Sequence, residues 1–459
     1  MKDSTKDEQG IALIMTVTII LVAAMLAAVI LYQGTSTDRH SGRGRNWNQA
    51  LQNADGGVEE AISKLQASNG VVPADFTGQN ADGTYSVHVT YLGRNRYQFD
   101  STGTTGTVQG LKAERSVRVV MGPPKSFKYA LFSSSSVDTK NNDVVNGDIY
   151  ANDEVTVDLG DTVNGSVTSA TKYVTMKNNS EITGDVYTGG YDSAGYAVKG
   201  TTIGGNVKAG SLAPGAPDDC SSESHSDYKV TAGSIGGTIK TWGSLASGQP
   251  NGAKVFTGVC VAAPHKEVFP QFLYNPANYT PAPVEFANSS AFNTYINAHK
   301  NDMKGTFVVG GSASDPNNYV NITGIKVSAD LTIIANGPIT ADQGSADVTA
   351  ANHNDKLMVL VSYYTPQPNV ACASNGGNPG DCAIGIKNNF QVSDNTATLV
   401  YAPNGPVAFK NNAEFLGAVY AGNIVMKNNQ VTTYDPRVEQ IVGFGPVTLE
   451  QESWEELKN

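Results

Sequence analysis

The pattern of apolar and polar positions divides the chain into three regimes. From Ile11 to Tyr32 the sequence IALIMTVTIILVAAMLAAVILY carries no charged residue. As a helix it reaches about 33 Å at 1.5 Å per residue, enough for a bilayer core of roughly 30 Å. A second stripe follows: Ala50, Leu51, Ala54, Val58, Ala61, Ile62 and Leu65 recur at steps of three and four, with Glu59, Glu60 and Lys64 on the other side. That is the period of an amphipathic helix. The Gly-containing link between the two, GTSTDRHSGRGRN, predicts a break or a softening of the helix. From residue 83 to 121 the period changes to two. GTYSVHVTYL, RYQFDSTG and AERSVRVVMG read as three strands, and an antiparallel meander lying on the helix stripe gives both a core.

Beyond about residue 126 a repeat appears. NGDIYAND, NGSVTSAT, TGDVYTGG, GGNVKAGS and GGTIKTWG place glycines at 147, 165, 184, 205 and 237, at spacings of 18, 19, 21 and 32. A second marker, Lys-Asn-Asn, begins at 140, 177, 387, 410 and 427. Short strands separated by corners that need positive φ, met by Gly or Asn, predict a parallel β-helix whose layers stack at about 4.8 Å. Stacked Asn side chains would hydrogen-bond from layer to layer. An antiparallel sandwich also has short strands, but it needs no corner tripeptide at a near-constant offset. The fold class expected is therefore mainly β. A membrane-spanning helix with a small α+β head is followed by a parallel β-helix, or solenoid, with an inserted loop region.

The expected boundaries are 1–68 for the leader and helix and 69–125 for the meander. They continue with 126–445 for the β-helix, an insertion at about 212–304, and 446–459 for a tail or cap. The insertion is Pro-rich and holds an apparent short helix at SSAFNTYINAHKND. The acidic tail, ESWEELKN, is expected to cap an open layer.

Composition narrows the function. Of 459 residues only 16% are charged, the net charge is −11, and hydrophobic residues reach 40%. That excludes a wholly disordered chain and offers no basic excess for nucleic acid. The apolar run is too long for a secretory signal and lacks a small-residue cleavage site, so it reads as a retained anchor. Lys2 and Lys6 precede it and Arg39, Arg43 and Arg45 follow, which by itself slightly favours a cytoplasmic C-terminal part. The four cysteines, Cys220, Cys260, Cys372 and Cys382, argue the other way. An even number in a β-rich chain points to disulfides and an oxidising compartment outside the cytoplasmic membrane. Sequence neighbours would pair as Cys220–Cys260 and Cys372–Cys382, though three pairings are possible. Cys220 with His225 and Cys260 with His265 also offer four zinc ligands, at a spacing unlike familiar fingers.

Other chemistry is sparse. Asp138, Asp143, Asp148, Asp153 and Glu154 are the candidates for a glycan-cleaving site, but they sit in turns, where carboxylates cap backbone. Asp-rich loops such as DQGSAD at 342–347 could hold calcium, but they lack the EF-hand pattern. No P-loop, GxSxG or HExxH occurs. No catalytic residue, metal or cofactor is expected.

The first 65 residues resemble the PilX-type N-terminal domain of type IV pilus assembly proteins, through QGIALIMTVTIILVAAML and ALQNADGGVEEAISKL. SFKYALFSSSSV and the Gly-Asp-Val-Tyr repeats ending in YDP look like the β-solenoid heads attached to such N-termini. The resemblance implies a minor pilin-like component, with Ala50, Ala54 and Val58 on its assembly helix and prepilin cleavage between Gly10 and Ile11. Glu8 and Gln9 stand where a basic residue is usual before that glycine. Major pilins carry Glu five residues into the mature helix; here that position is Met15, which suits a tip or minor place rather than the shaft. The partners implied are other pilin subunits, membrane lipid, and a surface glycan or protein met by the head. The rival expectations are an envelope polysaccharide-binding or -cleaving protein on an anchor, and a self-polymerising structural solenoid.

Overall fold

The computed structural model describes residues 5–68, 72–80, 83–93, 96–106, 112–122, 127–210, 227–245, 253–259, 261–272, 274, 276, 279, 281–341, 356–366, 372, 381–392, 396–441 and 450–457. It is mainly β, with one long N-terminal helix and a large parallel sheet. Two compact units result: one runs to Gly122 and takes in the chain from Val447 onward, the other spans Pro123–Pro446.

In the first unit α1 (Thr5–Ala67) is continuous. The expected break at the glycines does not occur. An interior Gly costs about 1 kcal/mol, less than starting a second helix from a new nucleus. Ala50, Ala54, Val58, Ala61 and Leu65 are buried against Tyr85, Val87, Phe99, Val117 and Val119. These belong to β2 (Gly83–Gly93), β3 (Arg96–Thr105) and β4 (Glu114–Gly122), joined by β1 (Phe76–Asn80) on the free side of β2. All pairings in this sheet are antiparallel. The fit is close because small residues face each other. A Cβ added at Gly103 would stand 2.1 Å from the Ala50 carbonyl oxygen and 2.3 Å from the Ala54 nitrogen. Beside it Ser101 Oγ donates to the Ala54 carbonyl at 2.7 Å.

The C-terminal segment corrects the expectation of a cap. Glu450–Leu457 pairs antiparallel with β4 as the fifth strand of this small sheet. Its charges explain the choice: Glu456 meets Arg115 at 2.7 Å, Glu455 meets Arg118 at 3.5 Å, and Trp454 Nε1 donates to Asp55 at 3.2 Å.

The second unit opens with strands mostly three residues long, from Leu131–Ser133 to Thr238–Thr241, each pairing parallel with the strand three further along. One row runs Leu131–Ser133, Ile149–Ala151, Val167–Ser169, Val186–Thr188, Val207–Ala209, Thr238–Thr241 and Lys254–Thr257. Two further rows start at Val137–Thr139 and Val144–Asn146. Alternate side chains enter a common core: Val155, Val167, Val174, Ile182, Val186, Val207 and Ile239 are fully buried. Each such side chain contributes about 1.5–3 kcal/mol by leaving water.

The later strands do not continue this series; they approach it from the other side. Val284–Phe286, Met303–Val309, Val327–Ala335, Lys356–Ser362, Thr396–Lys410 and Glu414–Lys427 follow in order, and the last pairs with Leu131–Ser133. The second unit's first strand set thus lies mid-sheet, with Phe132 between Tyr150 on one side and Tyr420 on the other. Parts of the expected insertion at 212–304 are sheet; of these, Lys229–Thr231, Ser234–Ile235, Thr238–Thr241 and Lys254–Thr257 continue the first series. What leaves the sheet is the crossing from Val261 to Phe272, which carries the chain back toward the other end of the row. It is anchored on an outward aromatic column, Tyr401–Tyr420–Phe132–Tyr150. Tyr150 donates to the His265 carbonyl, Tyr363 to the Phe272 carbonyl at 2.9 Å, and Phe269 packs 5.3 Å from Tyr401. α2 (Ser289–His299), N-capped by Asn288, then buries Phe292 and Ile296 in the same core at the Val284–Phe286 end.

The corners use Asn in the left-handed region. Asn141, Asn142, Asn388, Asn389, Asn411, Asn412, Asn428 and Asn429 all have φ between 53° and 68°. Their side chains form ladders: Asn141 donates to Asn428 at 3.0 Å, Asn428 to Asn411 at 2.9 Å, and Asn411 to Asn388 at 2.8 Å. The first of these bonds crosses the junction between the two series.

Candidate functional site

The most unusual surface is on α1. From Met15 to Gln33 the helix has a mean hydropathy of 2.5, with none of that stretch buried. Met15 is 64% exposed, and Ile19, Ile20, Met25, Ile30 and Leu31 are exposed all round the helix. By length and composition this stretch is able to cross a membrane. Seventeen residues further on, the same helix is closed off: Ala50 and Ala54 are fully buried and Val58 is 5% exposed. Gly10 and Ile11 lie on the α1 backbone, with their side chains outside the described residues.

The cysteines separate into two cases. Cys372 and Cys382 form a disulfide, buried together with Ala408. Cys220, Cys260 and His225 lie outside the described residues, as does the 342–347 loop. Among the described residues no group of three His, Cys, Asp or Glu is placed to hold a metal.

The acidic candidates are not brought together. Asp143 is 1% exposed and accepts the backbone N–H of Lys140 and of Gln430, both at 2.8 Å. Asp161 in the next layer accepts the Asp143 N–H at 2.8 Å. Burial pushes the Asp143 carboxyl up to about 7, against the pull of those two N–H donors. Burial also raises Asp161. Asp138 pairs with Lys140 at 2.5 Å, Asp148 accepts the Ser166 N–H at 2.7 Å, and Asp153 accepts Thr171 Oγ1 at 2.9 Å. Glu154 lies 3.7 Å from Lys172. Each of these carboxylates ties one layer to the next, caps backbone or holds a lysine. A groove of about 550 Å³ on the small sheet is lined by Thr77, Gln79, Thr84, Ser86, Thr102 and Thr104, without an acid, imidazole or thiol.

Two basic columns escaped the sequence reading. Lys387, Lys410 and Lys427 stack in register beside the Asn ladders. Burial and the like charges alongside lower the ammonium groups of Lys410 and Lys427. The second column holds Lys208 and Lys240 on neighbouring layers, flanked by Tyr187 and Phe256. Its signal was present in DVYTGG, NVKAGS and GTIKTW, one position past the inward Val or Ile and three past the repeat glycines at 184, 205 and 237.

Comparison with protein-family models, curated proteins and solved structures finds no match to this chain.

Proposed function

We propose that the chain is a single-pass, membrane-anchored, minor pilin-like subunit whose larger unit is a parallel β-helix held outside the cytoplasmic membrane. The observation that carries the reading is the division of α1. One half is apolar and exposed on every side, and the other is sealed under an antiparallel sheet. An exposed apolar helix of this length requires lipid or neighbouring apolar helices, and the resemblance of QGIALIM and ALQNADGGVEEA to PilX-type proteins supplies both. Met15, in place of the shaft carboxylate, favours a tip or minor position. The β-helix reading is supported by the strand-to-third-strand parallel pairing and the shared inward core. The function is assembly and surface contact rather than turnover, because the acidic side chains are engaged between layers. The outside location is supported by the disulfide Cys372–Cys382.

The test is N-terminal sequencing of the mature protein together with immunogold labelling of intact cells and sheared fibres. The reading expects an N-terminus at Ile11 and label at fibre tips or at sparse points. A chain recovered from the cytosol with reduced thiols would overturn it.

A further inference from the structure

The strand register places a basic and aromatic strip on the outer face of the first row. Tyr187 pairs with Lys208, Lys208 with Lys240, and Lys240 with Phe256. Their strand neighbours Val186, Val207 and Ile239 are buried in the core, so alternation turns these four outward. Lys208 and Lys240 are exposed and Phe256 is 48% exposed. A third cation, Lys254, stands beside them, paired in register with Thr238 and exposed.

The acid closest in sequence to this strip is already occupied. Asp185 Oδ1 accepts the backbone N–H of Asn206 at 2.6 Å and its side-chain amide at 3.0 Å, and Asp185 Oδ2 accepts the Tyr187 hydroxyl at 2.6 Å. Lys208 Nζ sits 5.2 Å from the centre of the Tyr187 ring. Among the described residues none of the three lysines forms an ion pair with a carboxylate. Burial pulls the Asp185 carboxyl up, but the Tyr187 hydroxyl, the Asn206 donors and the Lys208 ammonium hold it below the usual carboxylate range, so it keeps its charge beside Lys208. Three lysines against this one carboxylate leave a net positive strip, with Tyr187 and Phe256 at its ends, on a chain of net charge −11.

We propose that this strip binds an extended acidic polysaccharide. Successive layers lie about 4.8 Å apart, close to the advance of one sugar residue along a stretched glycan. Carboxylates repeating along such a polymer meet Lys208, Lys240 and Lys254, while the apolar faces of sugar rings lie on Tyr187 and Phe256. Lysine suits this task, as a hydrated point charge that tolerates the varied geometry of uronate carboxylates. The acidity of the whole chain disfavours a polymer as densely charged as nucleic acid. The inference needs only that this face be accessible, and it holds whether or not the chain sits in a fibre.

The test uses the full chain in detergent micelles, with polygalacturonate, alginate and hyaluronate as probes, and dextran and duplex DNA as comparisons. At least one uronate polymer is expected to bind, with dextran silent. Lys208→Glu with Lys240→Glu should weaken binding at least tenfold, and Phe256→Ala several-fold. Lys326→Glu, remote from the strip, should leave it unchanged. Thermal melts matching the parent exclude loss of fold, and a variant that fails this check is replaced by Lys208→Gln with Lys240→Gln. The proposal is overturned if none of the three uronates binds, or if the strip variants bind as the parent does. It also fails if DNA binds as tightly as the uronates and Phe256→Ala has no effect, which would reduce the strip to bare charge.

Discussion

The two units hide apolar surface by opposite means. In the first, a helix stripe and a sheet face are different objects that must match once, and the match depends on small residues: Ala50, Ala54 and Gly57 on α1, Ser101 and Gly103 on β3. In the second, the same short strand recurs and each layer is sealed by the next, so tolerance comes from repetition. A defect in the first unit has no second copy to compensate it. A defect in the second stays within the layers beside it.

That contrast can be broken at Gly103. Gly103→Val places a side chain against the α1 backbone, and the helix and sheet must separate. We expect a loss of about 3 kcal/mol from the first unit. Hydrogen exchange should show protection lost throughout β2–β4 while the parallel sheet keeps its own. Protection unchanged in β3 would mean the close approach is not what joins helix and sheet.

A corner residue tests the other half of the comparison. Asn428 has a φ of 68° and bonds both Asn141 and Asn411. Asn428→Ala should cost about 1–2 kcal/mol, combining a left-handed residue without Asn's tolerance and two lost hydrogen bonds. Asn428→Gly keeps the backbone preference and should cost less. Equal melting points for the two variants would show that the ladder, not the backbone, carries the effect.

The smallest expected effect is a pH dependence confined to the second unit. The Asp143 carboxyl moves from 3.8 to about 7 through burial, and Asp161 moves the same way. A raised value favours the protonated folded state. The stability it adds is complete below about pH 4 and is lost as the pH climbs through 7. The melting temperature should therefore be lower at pH 8 than at pH 5. Asp143→Asn should flatten the profile, and a variant with the parent's slope would assign the dependence to other groups.

The parts of the fold legible in the sequence were those with a local period. The Ala50–Leu65 stripe, the alternation at Tyr85, Val87 and Val89, and the Asn corners all announce themselves within a few residues. The C-terminal strand does not. Glu455 and Glu456 read as part of an acidic tail or cap until Arg115 and Arg118 are placed beside them. The order of layers was also hidden, because Lys427 following Lys140 in the chain carries no hint that Asn428 bonds Asn141. Of the candidate sites, the exposed helix was plain from Ile11–Tyr32. In the Tyr187–Phe256 strip, Tyr187, Lys208 and Lys240 share one offset from the repeat glycines, but Phe256 joins them only when strands are stacked in register.

The meeting of late strands with early ones bears on how the chain matures. Leu131–Asn146 acquires a second neighbour only when Glu414–Thr433 arrives. Throughout synthesis, one flank of the second unit's earliest strands stays unpaired, a template for wrong partners. Contacts this distant along the chain also form slowly. Truncation anywhere before residue 414 would leave that seam open, so a cell making this protein must shield it until the final tenth of the polypeptide has emerged.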